Sequence, residues 1–269
     1  MNRWQAQLDL EFCCDKEGKS ILKKNQHTGP MLVQKPFYPE KACHVYLLHP
    51  PGGVAGCDDL HLKVFVNENC KVLLTTPGAT KFYKSEVESS HVIQEFTVAN
   101  NASVEFLPMQ NIYYKGTSTR VDTIIKLYGN ASFAFRDMTS CGFAFEDKPF
   151  ENSSFFNRIF IYQDDKLKFL EINRVNGTES LENFLCNNSN VFIGTFLTAN
   201  VKEETLQNIC RYLEENSIEG AAGITDSILA VRMLGQDNQV IEQALNWIWQ
   251  YTRQETISIP PFIPRIWST

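Results

Sequence analysis

At 269 residues and a formal net charge of −6, the chain is long enough for one large all-β domain or two smaller ones, and too acidic for a general nucleic-acid binder. Its 43% hydrophobic and 21% charged residues are the balance of an ordinary soluble protein. No apolar run approaches the ~18 residues of a membrane span, and residues 1–7 lack the apolar core of a secretory signal, so neither nucleic acid nor membrane is an expected partner and the cytoplasm is the expected compartment.

Residues 8–13 alternate as Leu-Asp-Leu-Glu-Phe-Cys and predict a first strand. Residues 16–19 supply a turn, 20–22 begin the return strand, and 26–30 read as loop. Both prolines of Pro36-Phe37-Tyr38-Pro39 fix φ and restrict the residue before them, so this stretch is extended. A strand over 42–48 runs into His49-Pro50-Pro51-Gly52-Gly53-Val54-Ala55-Gly56-Cys57-Asp58-Asp59, a tight loop without the spacing of a phosphate cradle. Asp58 stands at a strand start, where an aspartate is ordinarily a turn former.

A unit then recurs. An alternating strand (60–66, 91–98, 121–128, 158–162) leads into an Asn or Asp turn (Asn69, Asn101, Asn130, Asp165), and a second strand follows. The turns lie roughly 30 residues apart, the period of stacked supersecondary units. After each second strand comes a polar stop: Thr75-Thr76-Pro77-Gly78, Pro108-Met109-Gln110, Arg136-Asp137-Met138-Thr139 and Glu171-Ile172-Asn173. Stacked as rungs, these stops pile up along one edge. Asp137 follows the core candidates Phe133 and Phe135, and a carboxylate near an interior needs a partner or a cation. Glu171 holds the matching place after Phe169-Leu170. Arg136, its neighbour pointing the other way, cannot serve Asp137 directly. A structural ion pair and a functional site are both open readings of these acids.

From residue 191 the texture changes. Residues 191–197 read as a buried strand, 202–215 as a helix with Leu206, Ile209, Cys210 and Leu213 on one face, 227–234 as a strand and 239–252 as a second helix. The expected chain is a single domain of 1–269: a mainly β solenoid body of strand-turn-strand units over 1–190, then a C-terminal α+β portion with two helices over 191–269. The tail Ile259-Pro260-Pro261-Phe262-Ile263-Pro264-Arg265-Ile266-Trp267-Ser268-Thr269 is apolar and either packs on the body or enters a partner. The eight cysteines include no Cys-x-x-Cys pair and are expected as reduced thiols. Asn101, Asn130, Asn152, Asn176 and Asn187 match the glycosylation triplet, two of them as turn residues of the repeat. There is no zinc-protease, hydrolase-elbow, zinc-finger or dinucleotide motif, and no nucleophile with its base. His49 and Asp58 flank one loop, weak evidence for a metal site.

The runs Leu48-His49-Pro50-Pro51-Gly52-Gly53 with Asp58, Leu74-Thr75-Thr76-Pro77-Gly78-Ala79-Thr80-Lys81-Phe82-Tyr83, Leu170-Glu171-Ile172-Asn173-Arg174, Val231-Arg232-Met233-Leu234-Gly235 and Pro264-Arg265-Ile266-Trp267-Ser268-Thr269 resemble the UreD (UreH) urease accessory protein family. The resemblance runs from the first strand to the last residue. It implies a flattened β-helix-like fold, no enzymatic activity, and a maturation role with UreF, UreG (through UreF) and the urease apoprotein as partners. It also implies transient nickel(II), with no tightly bound cofactor, passing an internal polar channel. By position the channel residues would be Asp58, Thr75, Thr76, Asp137 and Glu171, and the closing Arg265-Ile266-Trp267 would serve partner binding. Gly56-Cys57-Asp58 stands where the family more often has Gly-Gly-Asp. The rival readings are a scaffold without an ion path and a β-helix enzyme acting on polysaccharide.

Overall fold

The computed structural model describes residues 4–85, 88–142, 150–185 and 190–268; the Asn187 triplet and Thr269 fall outside them. A hairpin of β1 (Gln5–Cys14) and β2 (Ser20–Thr28) opens the chain, and β2 takes in Gln26 to Thr28, which read as loop in the sequence. The short β3 (Leu32–Val33) and β4 (Cys43–Leu48) follow. Three coils come next: β5 (Asp59–Val66), β6 (Lys71–Thr75) and β7 (Thr80–Phe82); β8 (Ser90–Val98), β9 (Ser103–Phe106) and β10 (Gln110–Tyr113); then β11 (Ser118–Leu127) and β12 (Ser132–Cys141). The chain continues with β13 (Ser154–Gln163), β14 (Lys166–Asn176), α1 (Gly177–Phe184), β15 (Phe192–Ala199), α2 (Glu203–Glu215), β16 (Glu219–Thr225), β17 (Ile228–Gly235) and α3 (Asn238–Thr256).

The coils stack into two facing sheets. One has seven strands in the order β14-β13-β11-β8-β5-β1-β2; the other runs β16-β17-β15-β12-β9-β6-β4-β3. Within the coils neighbouring strands are parallel, as expected of a flattened β-helix. β7 and β10 form a third wall, and β10 pairs with the second half of β12 through Gln110↔Met138 to Tyr113↔Cys141. Alternation aims Leu62, Val64, Phe96 and Ile125 of the first sheet at Val72, Leu74, Val104, Phe106, Phe133 and Phe135 of the second. The outer face of the second sheet is covered by α2 and α3, where Leu73, Phe196, Val231, Ile209, Leu245 and Trp249 form a separate core.

The repeat's turn has a physical signature. Each of the first three connections is four residues long, and Cys70, Ala102 and Ala131 donate their N–H to the carbonyls of Asn67, Ala99 and Tyr128. Asn69 (φ +62°), Asn101 (+57°) and Gly129 (+57°) take the left-handed conformation, which asparagine and glycine tolerate best. The residue that closes each turn is small because it is fully buried.

The fourth copy is not a rung. Its connection is only Asp164-Asp165, both at positive φ (49° and 60°), the geometry of a two-residue hairpin turn. β14 therefore folds back antiparallel on β13 and stays in the first sheet, instead of crossing to the second. Glu171 consequently sits on the sheet opposite Asp137 and not at an equivalent rung position. A second difference is α1, a helix within the span expected to be all strand.

Candidate functional site

The sandwich interior is not apolar throughout. On β8, β11 and β13 the inward positions read Val92-Gln94-Phe96, Val121-Thr123-Ile125 and Phe155-Asn157-Ile159. A polar side chain thus stands at the apolar parity of three successive strands. Gln94 and Thr123 are register partners, and the threonine hydroxyl donates to Gln94 Oε1 at 3.0 Å. Asn157 is in register with Asn173 of β14. Facing them are Asp137 and Thr139 of the second sheet and Asn111 of the adjoining β10. This polar layer lies between two apolar ones, the main core on the turn side and a second cluster that includes Phe82, Tyr113, Phe150 and Phe155. It borders a cavity of about 260 Å³ lined by Gln94, Asn111, Thr123, Asp137, Asn157 and Asn173 among apolar side chains.

Asp137 is a carboxylate on that cavity, and it departs well from ordinary behaviour. Its Oδ1 accepts from Asn111 Nδ2 at 2.7 Å and its Oδ2 from Thr139 Oγ1 at 3.1 Å. Burial pushes its pKa up to about 6; the two neutral donors oppose the shift and the Glu171 charge adds to it. Its residual accessibility is to the cavity it lines. Arg136, next in sequence, is on the other side of the sheet. There it donates to the Pro108 carbonyl at 2.9 and 3.1 Å and to Asn246 at 2.5 Å, and burial lowers its pKa to about 10.

Glu171 has its cation. Arg232 of β17 donates to Oε2 at 3.1 Å from Nε and 2.6 Å from Nη2, while Asn173 donates to Oε1 at 2.9 Å. Arg232 reaches this carboxylate because Asp137, Thr195 and Arg232 occupy one register row across β12, β15 and β17. The two acids singled out from the sequence therefore stand on facing sheets, one held by an arginine and one by neutral donors, and of the two only Asp137 lines the cavity.

The other expected channel residues divide. Thr76 lines the cavity near its rim; its hydroxyl donates to the Gly78 carbonyl at 2.9 Å and accepts from Met109 N–H at 2.9 Å. Thr75 is fully buried on the opposite side of β6, bonding Leu107 and Trp267. Asp58 lies outside the cavity wall and caps its own loop, accepting from Ala55 N–H at 2.9 Å. It acts electrostatically on His49, which does line the cavity and whose pKa burial lowers. The His-Pro-Pro-Gly-Gly loop is seated by Val54, which exchanges hydrogen bonds of 2.7 Å with Lys81 and Tyr83. Gly53 is required there, because a Cβ would stand 2.5 Å from the Lys81 carbonyl. Among the described residues no three His, Cys, Asp or Glu side chains form a metal-holding group.

Sequence reading placed Thr139 and Asn173 in the polar stops but missed Gln94, Asn111, Thr123 and Asn157, and it gave Arg232 no role. The signal was present as one polar residue at the inward parity of each strand.

At the C-terminus Trp267 packs on the body, its ring 5.3 Å from Trp249 and under the Arg136 guanidinium at 4.3 Å. Arg265 is exposed and Ile266 half-buried. The tail is further held by Arg253, fully buried, which bonds both carboxylate oxygens of Glu105 (2.8 and 2.9 Å) and of Glu40 (2.5 and 2.9 Å) and the Pro260 carbonyl at 2.6 Å. Phe262 and Ile263 stay exposed.

No helix among the described residues is long and apolar enough to cross a membrane. The UreD urease accessory protein family matches residues 5–268. The chain is 34% identical to the urease accessory protein UreD of Alcanivorax borkumensis, covering 99% of this chain and 92% of that one. It is 34% identical to the UreD of Klebsiella pneumoniae (99% and 96%) and 33% identical to that of Klebsiella aerogenes (99% and 97%). These relatives carry the name of an accessory protein and not of an enzyme, which sets the polysaccharide-enzyme alternative aside. With its stacked coils, its facing sheets and a match over nearly its whole length, the chain belongs to the UreD family of urease accessory proteins.

Proposed function

We propose that this chain serves urease maturation by letting nickel(II) pass through the polar layer between its sheets, while it holds UreF, through it UreG, and the urease apoprotein. The observation that carries the reading is Asp137: a carboxylate on the cavity between the sheets whose hydrogen-bond partners among the described residues are both neutral. An ionised carboxylate in such a place is under-compensated and gains by meeting a divalent cation.

Nickel(II) binds imidazole and thiolate tightly and carboxylate, amide and water oxygens more weakly. The groups around the cavity are mainly of the second kind: the Asp137 carboxylate, the side chains of Asn111, Asn157, Asn173 and Gln94, and the hydroxyls of Thr76 and Thr123. Such a lining suits an ion that must be given up again, the logic by which conducting sites stay weak. Glu171, already paired with Arg232, still adds negative charge near Asp137 and is not free to trap the ion. The exposed Arg265 and the exposed Phe262 and Ile263 supply partner contact on the tail.

The test is the nickel content of urease purified from cells that express its subunits and the other accessory proteins, with and without this chain. Urease poor in nickel only when the chain is missing is the expected result. Equal nickel contents would overturn the maturation reading.

A further inference from the structure

At the turn end of the solenoid, Cys14 closes β1 and Cys70 closes the connection into β6. Their sulfurs lie 3.2 Å apart although the residues are 56 positions apart in sequence. The approach is built from both sides. Asn67, which opens the turn, gives its N–H and its side-chain amide to the Phe12 carbonyl at 3.0 and 2.9 Å, and its own carbonyl accepts from Cys70 N–H. Lys71 N–H donates to the Ser20 hydroxyl at 2.8 Å, and Ser20 is the register partner of Cys14 in the opening hairpin. Both cysteine backbones are therefore pinned before any bond forms. The remaining gap to an S–S bond of about 2.05 Å is about 1.2 Å, within reach of side-chain rotation.

The two thiols differ in access. Cys70 is fully buried, whereas Cys14 is half-buried at the sheet edge. Burial, and then the neighbouring Cys14 sulfur, hold the Cys70 thiol far above the ordinary cysteine range. Cys14 is thus the sulfur that a small oxidant meets, and Cys70, whose thiol is not acidic, resolves it through its place 3.2 Å away. The geometry points to an oxidisable dithiol: hydrogen peroxide converts Cys14 and Cys70 into a disulfide that staples the first sheet to the second.

The step balances. The Cys14 sulfur takes one peroxide oxygen as the O–O bond breaks, giving a sulfenic acid and one water. The Cys70 sulfur attacks the Cys14 sulfur, the S–O bond breaks, and the hydroxyl leaves with the Cys70 proton as a second water. Two thiols are oxidised by two electrons and one peroxide is reduced. Cys70 precedes β6 and Thr76 follows it, so the staple and the cavity rim are at opposite ends of that strand. The inference is independent of the nickel reading.

The experiment exposes the full chain to hydrogen peroxide, then combines intact mass, thiol counting, fragment mapping without reduction, and thermal melting. The parent is expected to lose two of its eight thiols and the mass of two hydrogen atoms. The link should map to Cys14–Cys70, Tm should rise by about 5–10 °C, and dithiothreitol should reverse all of it. Cys13→Ser should behave as the parent, and Cys14→Ser should form no link. A link between Cys13 and Cys14, oxidation of Cys14 to sulfinic acid with Cys70 untouched, or full retention of thiols would overturn the proposal. Should Cys14→Ser not fold, the maps of the parent and of Cys13→Ser decide the question alone.

Discussion

The indole N–H of Trp267 donates to the hydroxyl of Thr75 at 2.8 Å, joining residues 192 positions apart. The same hydroxyl donates to the Leu107 carbonyl at 2.6 Å, and the Trp267 ring lies against Arg136. Two pairs of sequence neighbours are split by one sheet in this way. Thr75 and Arg136 face the tail, while Thr76 and Asp137 face the cavity. The strands that line the cavity on one side therefore anchor the C-terminus on the other.

Trp267→Phe keeps most of the ring packing and loses the hydrogen bond, so it should cost about 1 kcal/mol. Trp267→Ala also loses the contacts to Arg136 and Trp249 and should cost about 3 kcal/mol. Urea unfolding measures both. A loss of partner binding by Trp267→Phe without a loss of stability would place the tail's main role in a partner.

Asp137 links stability to pH. Its folded pKa of about 6 exceeds the ordinary value of 3.8, so the folded chain binds the extra proton between those values. The stability it contributes falls as pH rises from about 4 to 6 and stays lost above. Asp137→Asn removes this penalty, and should stabilise the chain at pH 7 by about 1–3 kcal/mol with no gain at pH 4. Urea midpoints of both proteins at the two pH values check the sign.

Arg232→Met leaves the buried Glu171 carboxylate facing Asp137 with only Asn173 as donor. Half of the Arg232 side chain is exposed, so water partly compensates and the expected cost is about 1–2 kcal/mol. Adding Glu171→Gln should recover most of it. A double-mutant cycle gives the coupling, and additive effects would show that the pair contributes nothing.

Cys57 holds φ at +71°, a left-handed conformation that costs a non-glycine residue about 1–2 kcal/mol. A glycine would take this conformation without that strain. Cys57→Gly trades the strain for chain entropy and should change stability by less than about 1 kcal/mol, whereas the β-branched Cys57→Val should destabilise. Thermal melts of the two variants separate the cases.

Much of the fold was legible because period-two alternation and an asparagine turn are local signals. The polar stops also singled out Asp137 and Glu171, Asp137 as a carboxylate near the interior. What misled was loop length: Asn67 to Cys70 is a four-residue connection that crosses between sheets, whereas Asp164-Asp165 is a two-residue hairpin that cannot. Asn157 and Gln94 were passed over because each, taken alone, looks like one polar residue in a strand. Only the register that stacks Gln94 on Thr123 and sets Asn157 beside Asn173 turns them into a layer. The Arg232–Glu171 contact spans 61 residues and needs three strands in register, so no local pattern announces it.

The proposed passage of nickel past Asp137 can be tested at that residue alone. Asp137→Ala is expected to fold at least as well as the parent near neutral pH, because it removes an under-compensated buried charge, so lost delivery cannot be blamed on lost structure. The decisive measurement is the nickel content of urease matured in cells with Asp137→Ala in place of the parent, at equal chain levels and with co-purification of UreF unchanged. Nickel content close to that of cells lacking the chain is the predicted result. Urease loaded as fully as with the parent would contradict it and leave a scaffold without an ion path.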